Sequence, residues 1–171
     1  MQCGLLSAEI TKMAFTPRMD DAFAYGEPWC HMLLKWTPDE KTKKEYLKRT
    51  LDGGFCTLWA TDPESGVDMG GMRGTAVKDG DYYILNGPKW WMAMCSPGPV
   101  GLQWHLVLLK TDPTKRTSGL TMFIVNDDEP GIIRGREGDL MGARWGCARY
   151  ELLLKDLKVH KSRLAAPEGK G

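Results

Sequence analysis

Four of the seven tryptophans, Trp59, Trp90, Trp91 and Trp104, crowd the middle of the chain. An indole face can stack on a flat conjugated ligand, and a group of them suits such a ligand; any one of them taken singly reads as core packing. Between the first two lie Asp62, Glu64 and Asp68, close together around Pro63 and Gly66. Three carboxylates so placed either cap the backbone of a solvated turn or gather into a carboxylate site. No other spacing in the chain belongs to a catalytic set. The histidines His31, His105 and His160 stand far from the cysteines Cys3, Cys30, Cys56, Cys95 and Cys147. No Cys-x-x-Cys pair occurs, so zinc-site spacing is absent. A G-x-S-x-G elbow, a Walker loop and a Ser-His-Asp order are absent too.

The residues that must position these side chains read as short strands separated by turn signals. Strands are expected at Phe55–Thr61, Met72–Lys78, Tyr82–Leu85, Trp104–Lys110, Thr121–Val125, Ile132–Arg136, Glu151–Leu154 and Lys158–His160. Reversals are expected at Lys78-Asp79-Gly80-Asp81, Asn86-Gly87, Asp112-Pro113, Asp127–Gly131 and Lys155-Asp156, because Asp, Asn and Gly tolerate positive φ. Strands at that spacing make a sandwich or barrel. Ahead of them, Thr37-Pro38-Asp39-Glu40 reads as a capping box with proline at the first helical position. The helix it opens should pass through Tyr46, Leu47 and Leu51 and stop at Gly53-Gly54. Lys41, Lys43, Lys44, Lys48 and Arg49 give that helix a basic surface, read as a solvated face or as a phosphate-binding one. Leu6, Ile10 and Met13 have helical spacing, but Pro17, Gly26 and Pro28 interrupt any longer pattern.

Composition sets outer bounds. With 171 residues, the chain is long enough to bury roughly two-thirds of its unfolded surface. A formal net charge of +1 offers no bulk attraction to nucleic acid or to an anionic membrane. No apolar run of about 18 residues exists, so no spanning helix is expected. The first ten residues lack the basic flank and apolar stretch of a secretory signal. Five scattered cysteines, an odd number, argue for reduced thiols in an intracellular protein, mitochondrial or cytoplasmic.

Two segments then carry a family resemblance. Leu58-Trp59-Ala60-Thr61-Asp62-Pro63-Glu64-Ser65-Gly66-Val67-Asp68 is similar to x-x-x-Thr-Glu-Pro-x-x-Gly-Ser-Asp of the acyl-CoA dehydrogenases, with Asp62 for Glu and Val67 for Ser. Asn86-Gly87-Pro88-Lys89-Trp90-Trp91-Met92-Ala93-Met94 resembles their Asn-Gly-x-Lys-x-Trp-Ile-Thr-Asn, with Ala93 where the family has threonine. Further matches follow in order. Lys110-Thr111-Asp112-Pro113, Gly119-Leu120-Thr121-Met122-Phe123-Ile124-Val125, Pro130-Gly131, Met141-Gly142-Ala143-Arg144 and Leu157-Lys158-Val159 each resemble a family segment, and Asp39 to Gly53 resembles the last helix before the family's β-domain.

The resemblance implies a mainly β fold: a barrel or sandwich of short antiparallel strands like the acyl-CoA dehydrogenase middle domain, after a short α-helical part. Residues 1–54 would be a partial N-terminal helical segment and 55–171 the FAD-binding β-domain. It implies FAD as cofactor, an acyl-CoA substrate dehydrogenated at its α,β carbons, an electron-transfer flavoprotein as electron acceptor, and a homo-oligomer in the full-length family. Cofactor contacts would come from Leu58, Trp59, Ala60, Thr61, Gly66, Trp91, Met92 and Ala93, and Val67 would lie near the substrate. The family's catalytic carboxylate belongs to a C-terminal helical domain that has no counterpart in these residues, so no catalytic residue is assigned and unaided catalysis is not expected. The resemblance thus points to a truncated or partial form of such an enzyme. The alternative is a non-catalytic β-domain serving as an interaction or scaffold module, favoured by Val67 and Ala93 standing where the family has hydroxyls.

Overall fold

The computed structural model describes residues 32, 33, 35–52, 54, 56–93, 103–138 and 149–171. The helical spacing of Leu6, Ile10 and Met13, four of the cysteines, His31, Gly53 and the segment 141–144 lie outside the described residues. Helix α1 spans Glu40–Leu51. Its N-cap is Asp39, whose carboxylate accepts from the Thr42 N–H at 2.7 Å. The expected cap, Thr37, is instead buried and donates its hydroxyl to the Ala165 carbonyl at 3.2 Å. A tertiary acceptor has taken that hydroxyl, so the helix begins later and Asp39 caps it. The Thr42 N–H in turn holds the Asp39 carboxyl below the usual carboxylate range. Lys41, Lys44 and Lys48 of the basic surface face solvent, while Arg49 also donates to Asn126 Oδ1 at 3.1 Å. Lys43 pairs with Glu40, Lys48 with Asp52 and Arg49 with Glu45, all within one helical turn.

Seven strands follow: β1 Cys56–Trp59, β2 Thr75–Asp79, β3 Tyr82–Ala93, β4 Trp104–Lys110, β5 Leu120–Asn126, β6 Ile132–Gly138 and β7 Arg149–His160. They form one curled sheet in the order β1-β4-β2-β3-β7-β6, with β5 on the other edge of β4. β4 and β5 are buried from end to end except for their last residues, which explains their unbroken apolar runs. Val107, Leu109, Phe123 and Val125 face a core built with Trp59, Tyr83 and Leu85. Leu106, Leu108, Ile124 and Trp104 face a second core under Leu33 and Tyr46. The far edge of β5 is covered by the chain's end, where Ala165 N–H donates to Met122 and Gly171 N–H to Leu120. That cover removes an open sheet edge.

Two expected reversals are not turns. Asn86-Gly87 lies inside β3 and Lys155-Asp156 inside β7, and the strands run on past both. The two signals face one another across the sheet. Pairing passes from Leu85↔Leu157 to Gly87↔Leu154, a bulge in which Asn86 and Asp156 bond each other. Asp156 takes φ +50° and Gly87 φ +138°. Positive-φ residues thus bend two long strands instead of ending them. At Gly87 a Cβ would stand 2.5 Å from the Gly74 Cα, so the two backbones cross where no side chain fits.

The feature that positions the site is a split in the pairing of β4. β1 runs parallel to β4 from Cys56↔Trp104 to Trp59↔Val107. The chain then leaves the sheet, turns, and returns as β2, which meets the same edge at Thr75↔Lys110. Residues 60–74 therefore fill a gap between two successive partners of one strand edge. This parallel pairing makes the sheet mixed, with its other ladders antiparallel.

Candidate functional site

The gap brings the two motif segments together. Trp90 N–H donates to the Thr61 carbonyl at 2.9 Å, stitching the end of β3 to the turn that follows β1. Within that turn Asp62 is buried and works as a cap. Its Oδ1 accepts from Glu64 N–H at 3.2 Å, and its Oδ2 accepts from Arg73 and Gly74 N–H, each at 3.1 Å. Its carboxylate neighbours turn outward, Glu64 to Arg73 and Asp68 to Arg116. No cluster of potential metal ligands occurs among the described residues. The acidic group is therefore turn architecture, and an acceptor-only residue suits it because it satisfies three N–H groups.

Four tryptophans divide into two roles. Trp59 and Trp104 are fully buried core residues. The Trp59 ring stacks on His105, with centroids 4.1 Å apart, and Trp104 packs on Tyr46. Trp90 is half-buried and donates its indole N–H to Glu151 at 3.0 Å. Trp91 is different. It has φ +58° and lies 50% exposed, with its ring over Gly138, where a Cβ would come within 2.8 Å. A bulky residue at positive φ is strained, and such strain collects at functional sites.

The other residues expected to hold the cofactor differ in what they expose. Thr61 is half-buried and its hydroxyl makes no hydrogen bond among the described residues. Gly66 is exposed, and a Cβ there would meet nothing within 4 Å. Leu58, Trp59, Ala60 and Met92 turn their side chains inward, wholly or in part, so only their backbones can serve a ligand. Of Ala93 the structure places the backbone, paired with Arg149. Val67 stands fully exposed at the outside of the turn.

Lys89 is the residue whose role sequence reasoning missed. It is 1% exposed, and its ammonium donates to the Leu108 carbonyl at 2.7 Å, the Ala60 carbonyl at 3.3 Å and the Met72 sulfur at 3.3 Å. The Lys110 N–H bonds Gly74 on this edge, so by strand alternation the Leu108 carbonyl points the same way, beyond the last residue of β1. Lys89 thus supplies the donor that a neighbouring strand would have supplied, and a buried carbonyl needs one. Burial pushes its pKa down from 10.5 to about 8, against the pull of Asp62. The signal was present in the alternation of β3, where Tyr83, Leu85 and Lys89 share the inward face.

A second buried chain crosses the core behind the site. The Trp59 indole N–H donates to the Thr57 hydroxyl at 3.1 Å, and that hydroxyl lies 2.7 Å from His105 Nδ1. His105 Nε2 lies 3.1 Å from Asp127, which also pairs with Arg134 at 2.8 Å. The ionised Asp127 carboxylate can only accept, so the proton of the neutral imidazole sits on Nε2 and Thr57 donates to Nδ1. Burial pushes the His105 pKa down, keeping the ring neutral. Although the order Thr-His-Asp is that of a nucleophilic triad, Thr57 and His105 are sealed from solvent. The chain therefore braces β1 against β4.

Comparisons with known proteins agree with this geometry. The sequence profile of the acyl-CoA dehydrogenase middle domain matches residues 57–157. The chain is 38% identical over 140 residues to a 3-(aryl)acrylate reductase of Clostridium sporogenes, covering 81% of this chain and 35% of that protein. It is 35% identical over 144 residues to the caffeyl-CoA reductase–Etf complex subunit CarC of Acetobacterium woodii, covering 82% and 35%. The butyryl-CoA dehydrogenase structure from Megasphaera elsdenii superposes with a TM-score of 0.79 at 27% identity, over 89% of this chain and 39% of that one. The chain spans about a third of the length of the curated relatives it matches. Sheet, split edge and matched residues together place this chain in the acyl-CoA dehydrogenase family, across that family's middle domain.

Proposed function

We propose that this chain supplies the flavin-holding β-domain, residues 55–171, of an FAD-dependent oxidoreductase acting at the α,β carbons of an acyl-CoA thioester. The observation that carries the reading is the Trp90–Thr61 hydrogen bond. It ties Thr61, whose half-buried hydroxyl has no partner among the described residues, to the residue just before the half-exposed, strained Trp91. A flat ring with polar edges fits that pair: the indole takes its face and the Thr61 hydroxyl an edge. Backbone from Leu58 to Gly66 and from Trp91 to Ala93 borders the same place, with Val67 on the substrate side. When bound, FAD supplies the hydride chemistry. The residues of this chain hold, orient and shield; none of them is assigned the α-proton. The general base would belong to a helical part of the whole protein, and an electron-transfer flavoprotein is the proposed redox partner, as the name of the Acetobacterium relative suggests.

A second reading rests on Val67 and Ala93. Neither carries the hydroxyl found at the family position, and Val67 offers an exposed apolar side chain instead. On that reading the β-domain has lost its flavin and serves as an interaction module. An absorbance spectrum from 300 to 550 nm, taken after soaking the folded chain in FAD and desalting, separates the two. A retained flavin band supports the first reading, and its absence from a folded sample overturns it in favour of the second.

A further inference from the structure

We propose that Glu151 is a positioning residue for the half-exposed indole of Trp91: it sits between two facing β-bulges and, by holding the Trp90 ring, aims Trp91 across the sheet. Its functional meaning rests on the flavin reading, while the aim itself is built from protein groups alone. Pairing between β3 and β7 passes from Lys89↔Leu152 to Met92↔Tyr150, so Trp90 and Trp91 together stand opposite one residue, Glu151. On the other side of β7 the ladder passes from Arg134↔Leu152 to Glu137↔Tyr150, so Gly135 and Arg136 share Glu151 as well. A bulge adds a residue to one strand and turns a side chain off the regular alternation. In an unbroken strand Trp90 and Trp91 would point to opposite faces. Here their rings stack, with centroids 6.2 Å apart and planes at 25°.

Glu151 ties the two bulges together. Its Oε1 accepts from the Trp90 indole N–H at 3.0 Å and from Arg136 at 3.2 Å. The side chain has room because Gly135 lies beneath it, where a Cβ would stand 3.2 Å from the Glu151 Cβ. Gly138 makes the same room for the Trp91 ring. Of the two bonds to Oε1, the indole bond carries the arrangement. The Arg136 side chain is 77% exposed, and an ion pair so open to water is worth little. Trp90 is thereby held at both of its N–H groups, the indole by Glu151 and the backbone by Thr61. Trp91 needs a neighbour so restrained, because a residue at φ +58° keeps its strained conformation only where its surroundings fix it.

Proton NMR on the 171-residue chain without FAD reads the aim directly. The α-proton of Gly138 that points at the Trp91 ring should be displaced from its ordinary position by the ring current, and Trp91→Ala should abolish that displacement. Glu151→Ala should lose about half of it or more. The same variant should bind FAD about fivefold more weakly by fluorescence titration, the usual worth of one hydrogen bond. Glu151→Gln keeps an acceptor oxygen for the indole and should restore both. Trp90→Phe removes the donor instead of the acceptor and should lose the Gly138 displacement to the same degree, which carries the test where Glu151→Ala folds poorly. A displacement absent from the wild type, or unchanged in either folded variant, overturns the positioning role. So does a loss in Glu151→Gln equal to that in Glu151→Ala. A displacement that depends on Glu151 in a chain that binds no FAD supports the positioning role and overturns the flavin reading. FAD binding with a displacement indifferent to Glu151 does the reverse, so the two failures are distinct.

Discussion

Trp91 and Trp36 make a matched pair for testing the proposed site, since their exposures are 50% and 49% but only Trp91 follows the residue that bonds Thr61. Trp91→Ala should weaken FAD binding about tenfold or more, the worth of one aromatic stacking contact, and Trp36→Ala should leave it nearly unchanged. Fluorescence titration of FAD against each variant reads this directly, and equal losses would remove Trp91 from the site. His105 offers a test of the hidden brace. Replacing it with leucine leaves the Thr57 hydroxyl and Asp127 without their partner, so His105→Leu should cost about 2–4 kcal/mol in urea unfolding. FAD affinity in the variant that remains folded should change far less, because the imidazole never reaches the rim.

The turn between β1 and β2 owes its shape to backbone groups satisfied by buried side chains, and α1 owes its start to one carboxylate. Asp39→Ala should lower stability by about 1 kcal/mol, the usual worth of an N-cap, read as a drop in melting temperature. Gly87 marks the crossing with Gly74, where the strands bend at the Asn86–Asp156 bulge. Gly87→Ala combines a positive φ with a Cβ 2.5 Å from another backbone, so it should cost about 2 kcal/mol or more in denaturant unfolding. These elements also show where local signals mislead. Asn86-Gly87 and Lys155-Asp156 carry turn chemistry, yet each faces the other across a ladder whose apolar residues continue on both sides. Positive φ was legible; whether it ends a strand or bends it depended on what lay opposite.

For the molecule as a whole, two buried bases give stability a characteristic pH dependence. Burial lowers the folded pKa of His105, so the unfolded chain takes up this proton first as pH falls. The contribution is complete above about pH 6.5 and is lost progressively below it. Lys89 acts at the other end. Its folded pKa of about 8 lies below 10.5, so between those values the unfolded state holds more protons and stability rises with pH. By pH 9.5 the gain should reach about 2 kcal/mol relative to pH 7.5, and Lys89→Met should abolish it. Tyr83, pushed up to about 12 by burial and its hydrogen bond to Glu168, opposes that rise above pH 10. Urea unfolding from pH 5 to pH 10 reads both arms.

Much of the architecture was legible from residue patterns, because burial imposes periodicity on any sequence that folds around it. The apolar run of Trp104–Lys110 and the Gly80 reversal matched the strands and turn that form. The ordered matches to the acyl-CoA dehydrogenases carried the family. Motif spacing also nominated Thr61 and Trp91 as the cofactor contacts proposed above, since each belongs to a short local segment. What required tertiary structure was everything decided by a partner distant in sequence. Ala165 took the hydroxyl of Thr37, and His105 claimed the face of Trp59. The split edge of β4 left a carbonyl that made Lys89 a buried clamp rather than a surface charge. Local sequence sets which hydrogen bonds and surfaces a residue can offer; only the folded chain determines which are already taken.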